Sequence, residues 1–214
     1  MIKDLRNTFK QTAIYGLSNI FVKAAGLILI PIYTASLSVS DYGMLAMFEI
    51  ITQFFVGVVS FSLPTAVLRL GSDTDNKKTQ NKIYFTANVL LLGFTAAFLM
   101  IVFPLNTWFS EVIFHSPQYA SYFTIAFASI GLEMFGLMPM QLLRLREKSV
   151  QYLIYFALKL IAMVGFVWFF VAFKNMGVYG ALLGILCANA TLIVATLPIQ
   201  ILNLNIKFDK KAAR

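Results

Sequence analysis

The stretch Ile14 to Leu37, IYGLSNIFVKAAGLILIPIYTASL, decides how the rest of the chain is read. Lys23 is its only charged residue. As a helix rising ~1.5 Å per residue it reaches ~36 Å, enough to cross a ~30 Å hydrocarbon core with some tilt. Lys23 then sits near mid-membrane, where a bare ammonium is costly and is normally turned toward a protein interior or a water-filled path. The stretch therefore predicts a membrane helix and, around it, further helices that shelter the charge.

Working outward, the remaining sequence supplies those helices. The chain has 214 residues, 59% hydrophobic and only 12% charged, against roughly 25% charged in soluble domains. Apolar spans are predicted at 14–37, 42–70, 83–105, 119–145, 150–173 and 178–202, making residues 1–214 a single transmembrane domain. The short link Ser38 to Asp41 makes the first two spans antiparallel neighbours, and Ser40 or Asp41 is expected to cap the second. Gly71 to Lys82 reads as a polar, basic link. Asn106 to Pro117 reads as a link without Lys or Arg, its Trp108 and Phe109 suited to the lipid interface. The basic tail before the first span looks like the start of a secretory signal. The apolar run is too long for one, and no clear small-residue cleavage site follows, so an uncleaved helix is expected.

The net charge of +8 would suggest nucleic acid in a soluble protein. Here the cations cluster in links, which favours membrane orientation instead. With the N-terminus inside, one side holds Lys3, Arg6, Lys10, Arg69, Lys77, Lys78, Lys82, Arg144, Arg146, Lys148, Lys207, Lys210, Lys211 and Arg214, and the other only Lys174. That bias predicts six spans with both termini cytoplasmic and no nucleic-acid partner. The single cysteine, Cys187, leaves no intrachain disulfide, and no metal-ligand spacing or catalytic set is present. Neither metal, cofactor nor enzymatic activity is expected. Pro31, Pro64, Pro104, Pro139 and Pro198 fall late in their spans, where they either end a helix or hinge it. Pro31 is the hinge candidate, because helix is expected to continue past it. Gly180 and Gly184 form a G-x-x-x-G that permits close helix packing.

Depth singles out the candidate site. Lys23, Glu133 and Lys159 each come out ~21 Å below the outer surface, with Glu49 nearer that surface. Asn19 shares the Lys23 face of the first span, and Gln53 the Glu49 face of the second. In lipid such stripes turn inward. Glu133, Glu49, Asn19 and Gln53 are candidates for charge pairing or ion coupling. The set reads either as a structural salt bridge, Lys23–Glu133 or Lys159–Glu133, or as the wall of an anion-accommodating cavity, since one acid does not balance two bases. Arg69, Arg144 and Arg146 at the inner ends read as orientation signals or lipid-headgroup contacts, or as a basic mouth that attracts phosphates. His115 reads as a solvated loop residue.

The run Leu17-Ser18-Asn19 through Leu29-Ile30-Pro31-Ile32-Tyr33-Thr34, then Leu37-Ser38 and Asp41-Tyr42-Gly43, resembles the opening of bacterial polysaccharide flippases. These are the Wzx-like members of the superfamily that also holds MATE drug exporters. Pro64-Thr65-Ala66-Val67-Leu68-Arg69, Leu143-Arg144 with Glu147-Lys148 and Tyr152, and Gly177-Val178-Tyr179-Gly180-Ala181 continue the resemblance. It implies an all-α integral membrane protein, one lobe of a MATE-like two-lobe transporter, flipping lipid-linked oligosaccharide across the bacterial cytoplasmic membrane by alternating access. It implies a cationic cavity for the sugar–diphosphate head, carried over to Lys23, Lys159, Arg69 and Arg144. The implied partners are the lipid-linked oligosaccharide, membrane lipids and a second six-helix lobe, either a missing C-terminal half or a second copy. A cation-coupled drug exporter of the same superfamily, or a non-transporting scaffold of a glycan assembly complex, are the alternatives.

Overall fold

The computed structural model describes residues 26–74 and 76–203. Lys23, Asn19, the first half of the first span and both basic tails lie outside the described residues. Among those described there are helices and no strands: α1 (Gly26–Ser36), α2 (Val39–Ser60), α3 (Leu63–Ser72), α4 (Lys77–Val102), α5 (Asn106–Phe114), α6 (Ala120–Leu145), α7 (Ser149–Val167) and α8 (Gly177–Asn203). Five are long and apolar enough to cross a membrane: α2, α4, α6 with its leading 3₁₀ turn, α7 with the π-helical turn that extends it, and α8. The span expected at 14–37 is described only in its second half, as the shorter apolar helix α1.

The link between α1 and α2 is as short as expected, but the cap is Ser38. Its Oγ accepts from the Asp41 amide at 3.1 Å, and the Ser38 amide donates back to the Asp41 carboxylate at 3.3 Å. This reciprocal box needs the hydroxyl three residues before the acid, which places Ser40 and Asp41 inside the helix.

The span expected at 42–70 is two helices. Phe61 and Ser62 both adopt left-handed backbone, φ 44° and 55°. Pro64 follows, in the first turn of α3. Its ring lacks an N–H and would collide with the carbonyl four residues back, so a continuous helix through it is penalised. Pro64 starts a helix here instead of ending one. Pro139 and Pro198 lie inside α6 and α8, which continue past them, while Pro104 sits in the turn after α4. α4 begins six residues before the expected boundary: Asn76 caps it by accepting from the Lys78 amide at 3.0 Å. The link expected at 106–117 is mostly helix α5. Asn106 Nδ2 donates to Thr124 Oγ1 at 2.8 Å, and Ser110 Oγ donates to the Ser116 carbonyl. Trp108 remains exposed, but Phe109 packs inward.

At this end the core is aromatic. Phe48 contacts the rings of Phe114, Tyr122 and Phe123 at 5.3, 6.1 and 4.9 Å, and Phe55, Phe98, Phe109 and Phe127 extend the cluster. Quadrupoles favour such offset, tilted and edge-on arrangements over a perfect face-to-face sandwich. The opposite end, carrying Arg69, Arg144 and Arg146, is here called the basic end. α8 lies between α6 and α7, which touch each other much less than each touches α8. Gly180 and Gly184 make the approach to α7. A Cβ on Gly184 would fall 2.8 Å from the Val167 amide nitrogen, and one on Gly180 2.9 Å from the Phe170 carbonyl oxygen. The expectation from the G-x-x-x-G spacing is met by these backbone distances.

Candidate functional site

The limited contact between α6 and α7 leaves a cavity of about 450 Å³, walled by α1, α2, α6, α7 and α8. Apolar side chains make most of the wall, among them Leu29, Phe48, Leu160, Met163 and Leu182. The polar groups that reach it are Tyr33 from α1, Glu49, Thr52 and Gln53 from α2, Ser129 and Glu133 from α6, Lys159 from α7, and Asn189 from α8. Glu49 and Gln53 share a face because they are one turn apart, as do Ser129 and Glu133.

Lys159 Nζ lies 3.5 Å from Glu133 Oε1, with side-chain exposures of 21% and 29%. The pair spans the α6–α7 gap on the cavity wall. Sequence depth placed these residues at a common level, and the structure brings them together. It also adds Glu49, expected nearer the outer surface, to the same cavity. The described wall thus carries Lys159 against two carboxylates; Lys23, the second expected cation, lies outside the described residues, as does Asn19. Pro31 falls within α1, two residues from each of the wall residues Leu29 and Tyr33.

Arg69 and Arg144 do not line this cavity. They flank a separate, more open depression at the basic end, with Thr65, Ser72 and Glu147. Arg144 lies 5.9 Å from the centre of the Tyr152 ring. The structure therefore separates the sequence candidates into a membrane-level group, Glu49, Gln53, Glu133 and Lys159, and a basic-end group, Arg69 and Arg144.

Sequence reading missed Asn189, Ser129 and Tyr33. Asn189 is 1% exposed, and its Nδ2 donates to Ser129 Oγ at 3.0 Å and to the Ser129 carbonyl at 3.3 Å. Its Oδ1, like the Tyr33 hydroxyl, is buried without a hydrogen-bond partner. For Asn189 the available signal was an amide near the middle of a mostly apolar span, because such a group in hydrocarbon is retained only where it finds partners. The cavity therefore offers a cation, carboxylates and amide or phenol dipoles within an apolar enclosure. That equips it to hold a polar headgroup, and among the described residues no three His, Cys, Asp or Glu side chains gather as a metal site.

A family model described as polysaccharide biosynthesis protein matches residues 36–214. The chain belongs to the polysaccharide biosynthesis protein family. The match takes in the α1–α2 junction and every later motif that resembles the Wzx-like exporters, and that family resemblance is borne out. With its spanning helices, this member of the family is a multi-pass membrane protein with a role in polysaccharide biosynthesis or export. Searches of curated proteins and of solved structures each found no match.

Proposed function

We propose that this protein is a lobe of a flippase that carries lipid-linked, diphosphate-bearing oligosaccharide across the bacterial cytoplasmic membrane by alternating access. The observation that carries the reading is the Lys159–Glu133 pair on an amphiphilic cavity between loosely joined α6 and α7. In the resting cavity Glu133 neutralises Lys159. An arriving diphosphate competes for the ammonium because its oxygens accept stronger, charge-assisted hydrogen bonds. Displacing Glu133 removes a polar tie between α6 and α7 and lets the two sides of the cavity part. The polyprenyl tail stays in the bilayer along the exposed apolar face of α7, where Ile154, Leu158 and Ile161 point outward. No covalent bond is made or broken. A second six-helix lobe closes the cavity, both termini face the cytoplasm, and Lys23, Arg69 and Arg144 add positive charge along the path.

The test replaces Lys159 by Gln and measures surface glycan together with insertion and folding of the variant. The proposal expects export to fall at least tenfold while the inserted amount changes little. Unchanged export would refute it and leave a scaffold role. The two carboxylates of the described wall favour a second reading, a cation-coupled exporter. In that case Glu49→Gln abolishes transport of a cationic drug and leaves glycan export intact.

A further inference from the structure

A smaller pocket of about 260 Å³ lies at the basic end, where α6 turns into α7 against the late part of α8. Its floor is apolar, made by Leu142, Leu143, Pro198 and Ile199, and its rim carries Arg146 and Lys148. The turn that joins the helices sorts its charges by side. Arg146 and Lys148 line this pocket, while Glu147 between them lines the depression on the other side of α6. The left-handed backbone of Glu147, φ 56°, accompanies that reversal. Among the described residues no carboxylate lines the pocket.

Three further features shape it. Arg146 Nη2 donates to Asn81 Oδ1 on α4, which fixes the guanidinium in place. Lys148 occupies the N-cap of α7 and supplies no side-chain cap, so the positive end of that helix is not offset by an acceptor of its own. The pocket also lies where two spans end, α6 at Leu145 and α7 from Ser149, which is the depth of lipid headgroups.

We propose that this pocket binds the phosphate headgroup of an anionic phospholipid from the adjoining leaflet. Arg146, Lys148 and the first turn of α7 face the phosphate, and an acyl chain follows the exposed residues Val150 and Ile154 down α7. An apolar floor beneath a cationic rim suits an amphiphile better than a free anion. Basic pockets between spans at a membrane surface hold such headgroups by the same physics. The assignment does not depend on the flippase reading.

The full chain, purified in detergent, is titrated with phosphatidylglycerol and with phosphatidylcholine, and bound lipid is counted by native mass spectrometry. The expected result is at least tenfold tighter binding of phosphatidylglycerol. Lys148→Gln, a change at an exposed side chain, should weaken it about fivefold, and Arg146→Gln with Lys148→Gln about twenty-fivefold. Lys77→Gln with Lys78→Gln removes the same net charge from the start of α4, from residues that do not line the pocket, and should change binding less than twofold. Equal binding of the two lipids, or equal loss in the two double variants, overturns the proposal. Competition separates the sources of phosphate. Displacement of phosphatidylglycerol by millimolar inorganic phosphate would show a free-anion site, and preferential binding of polyprenyl diphosphate would show a carrier-lipid site. Either result overturns the phospholipid assignment.

Discussion

Replacing Gly184 by Ala tests how closely α8 and α7 approach. The new Cβ would lie 2.7 Å from Val167 Cγ2, 2.8 Å from its amide nitrogen and 2.9 Å from its Cα. Ordinary contact is about 3.5–4.0 Å, so the helices must separate by roughly 0.7 Å. Two of the three atoms are backbone and cannot rotate away, and Val167 is fully buried. Overpacking of this kind costs ~1–3 kcal/mol. Exchanging Gly for Ala in a helix returns up to ~1 kcal/mol, leaving a net loss of up to ~2 kcal/mol. Gly165 on α7 is the matched control, since a Cβ there meets nothing within 4 Å. Gly165→Ala should be neutral or stabilising by a few tenths of a kcal/mol up to ~1 kcal/mol. Unfolding of the purified protein by increasing SDS in mixed micelles, read by tryptophan fluorescence, compares the two; Trp168, next to Val167, is well placed to report. A Gly184→Ala variant as stable as Gly165→Ala would refute the close α7–α8 contact.

Other changes have expected outcomes of their own. Ser38→Ala removes the hydroxyl that caps α2 and should cost ~1 kcal/mol in the same titration, whereas Ser40→Ala, inside the helix, should cost less than half of that. Phe48→Ala empties the centre of the aromatic cluster and should cost ~3–5 kcal/mol, with proteolysis beginning near α5, the short helix packed over that cluster. Glu133→Gln and Lys159→Gln each break the 3.5 Å pair in a partly buried site, at ~1–3 kcal/mol apiece. The double variant should cost less than the sum of the two, and strict additivity in that cycle would show that the 3.5 Å contact carries no coupling.

The family and the broad architecture were legible in the sequence because the bilayer sets a long, coarse scale. A span of some twenty apolar residues cannot hide in composition, and the ordered motifs from Leu17 to Ala181 were enough to point to polysaccharide exporters. Boundaries inside a span were harder to see. The break at Phe61 and Ser62 lies in a mostly apolar run, and only Ser60, Ser62 and Pro64 mark it. The helix α5 was missed because nine residues at an interface have neither the length nor the charge pattern that signals a span.

The candidate site divides along the same line. Counting residues along helices was sufficient to put Glu133 and Lys159 at one depth, since helical rise is constant. Depth says nothing about rotation or about which helices are neighbours. That Glu49 joins the pair, that Asn189 and Tyr33 bring buried polar atoms to the wall, and that Arg69 and Arg144 lie apart from it all follow from how the helices pack. Hydrophobic patterning in lipid is nearly uniform around a span, so it directs each helix across the membrane without choosing the partner. The choice comes from contacts too fine for a pattern to show: a backbone approach that only Gly180 and Gly184 allow, and rings that interlock around Phe48.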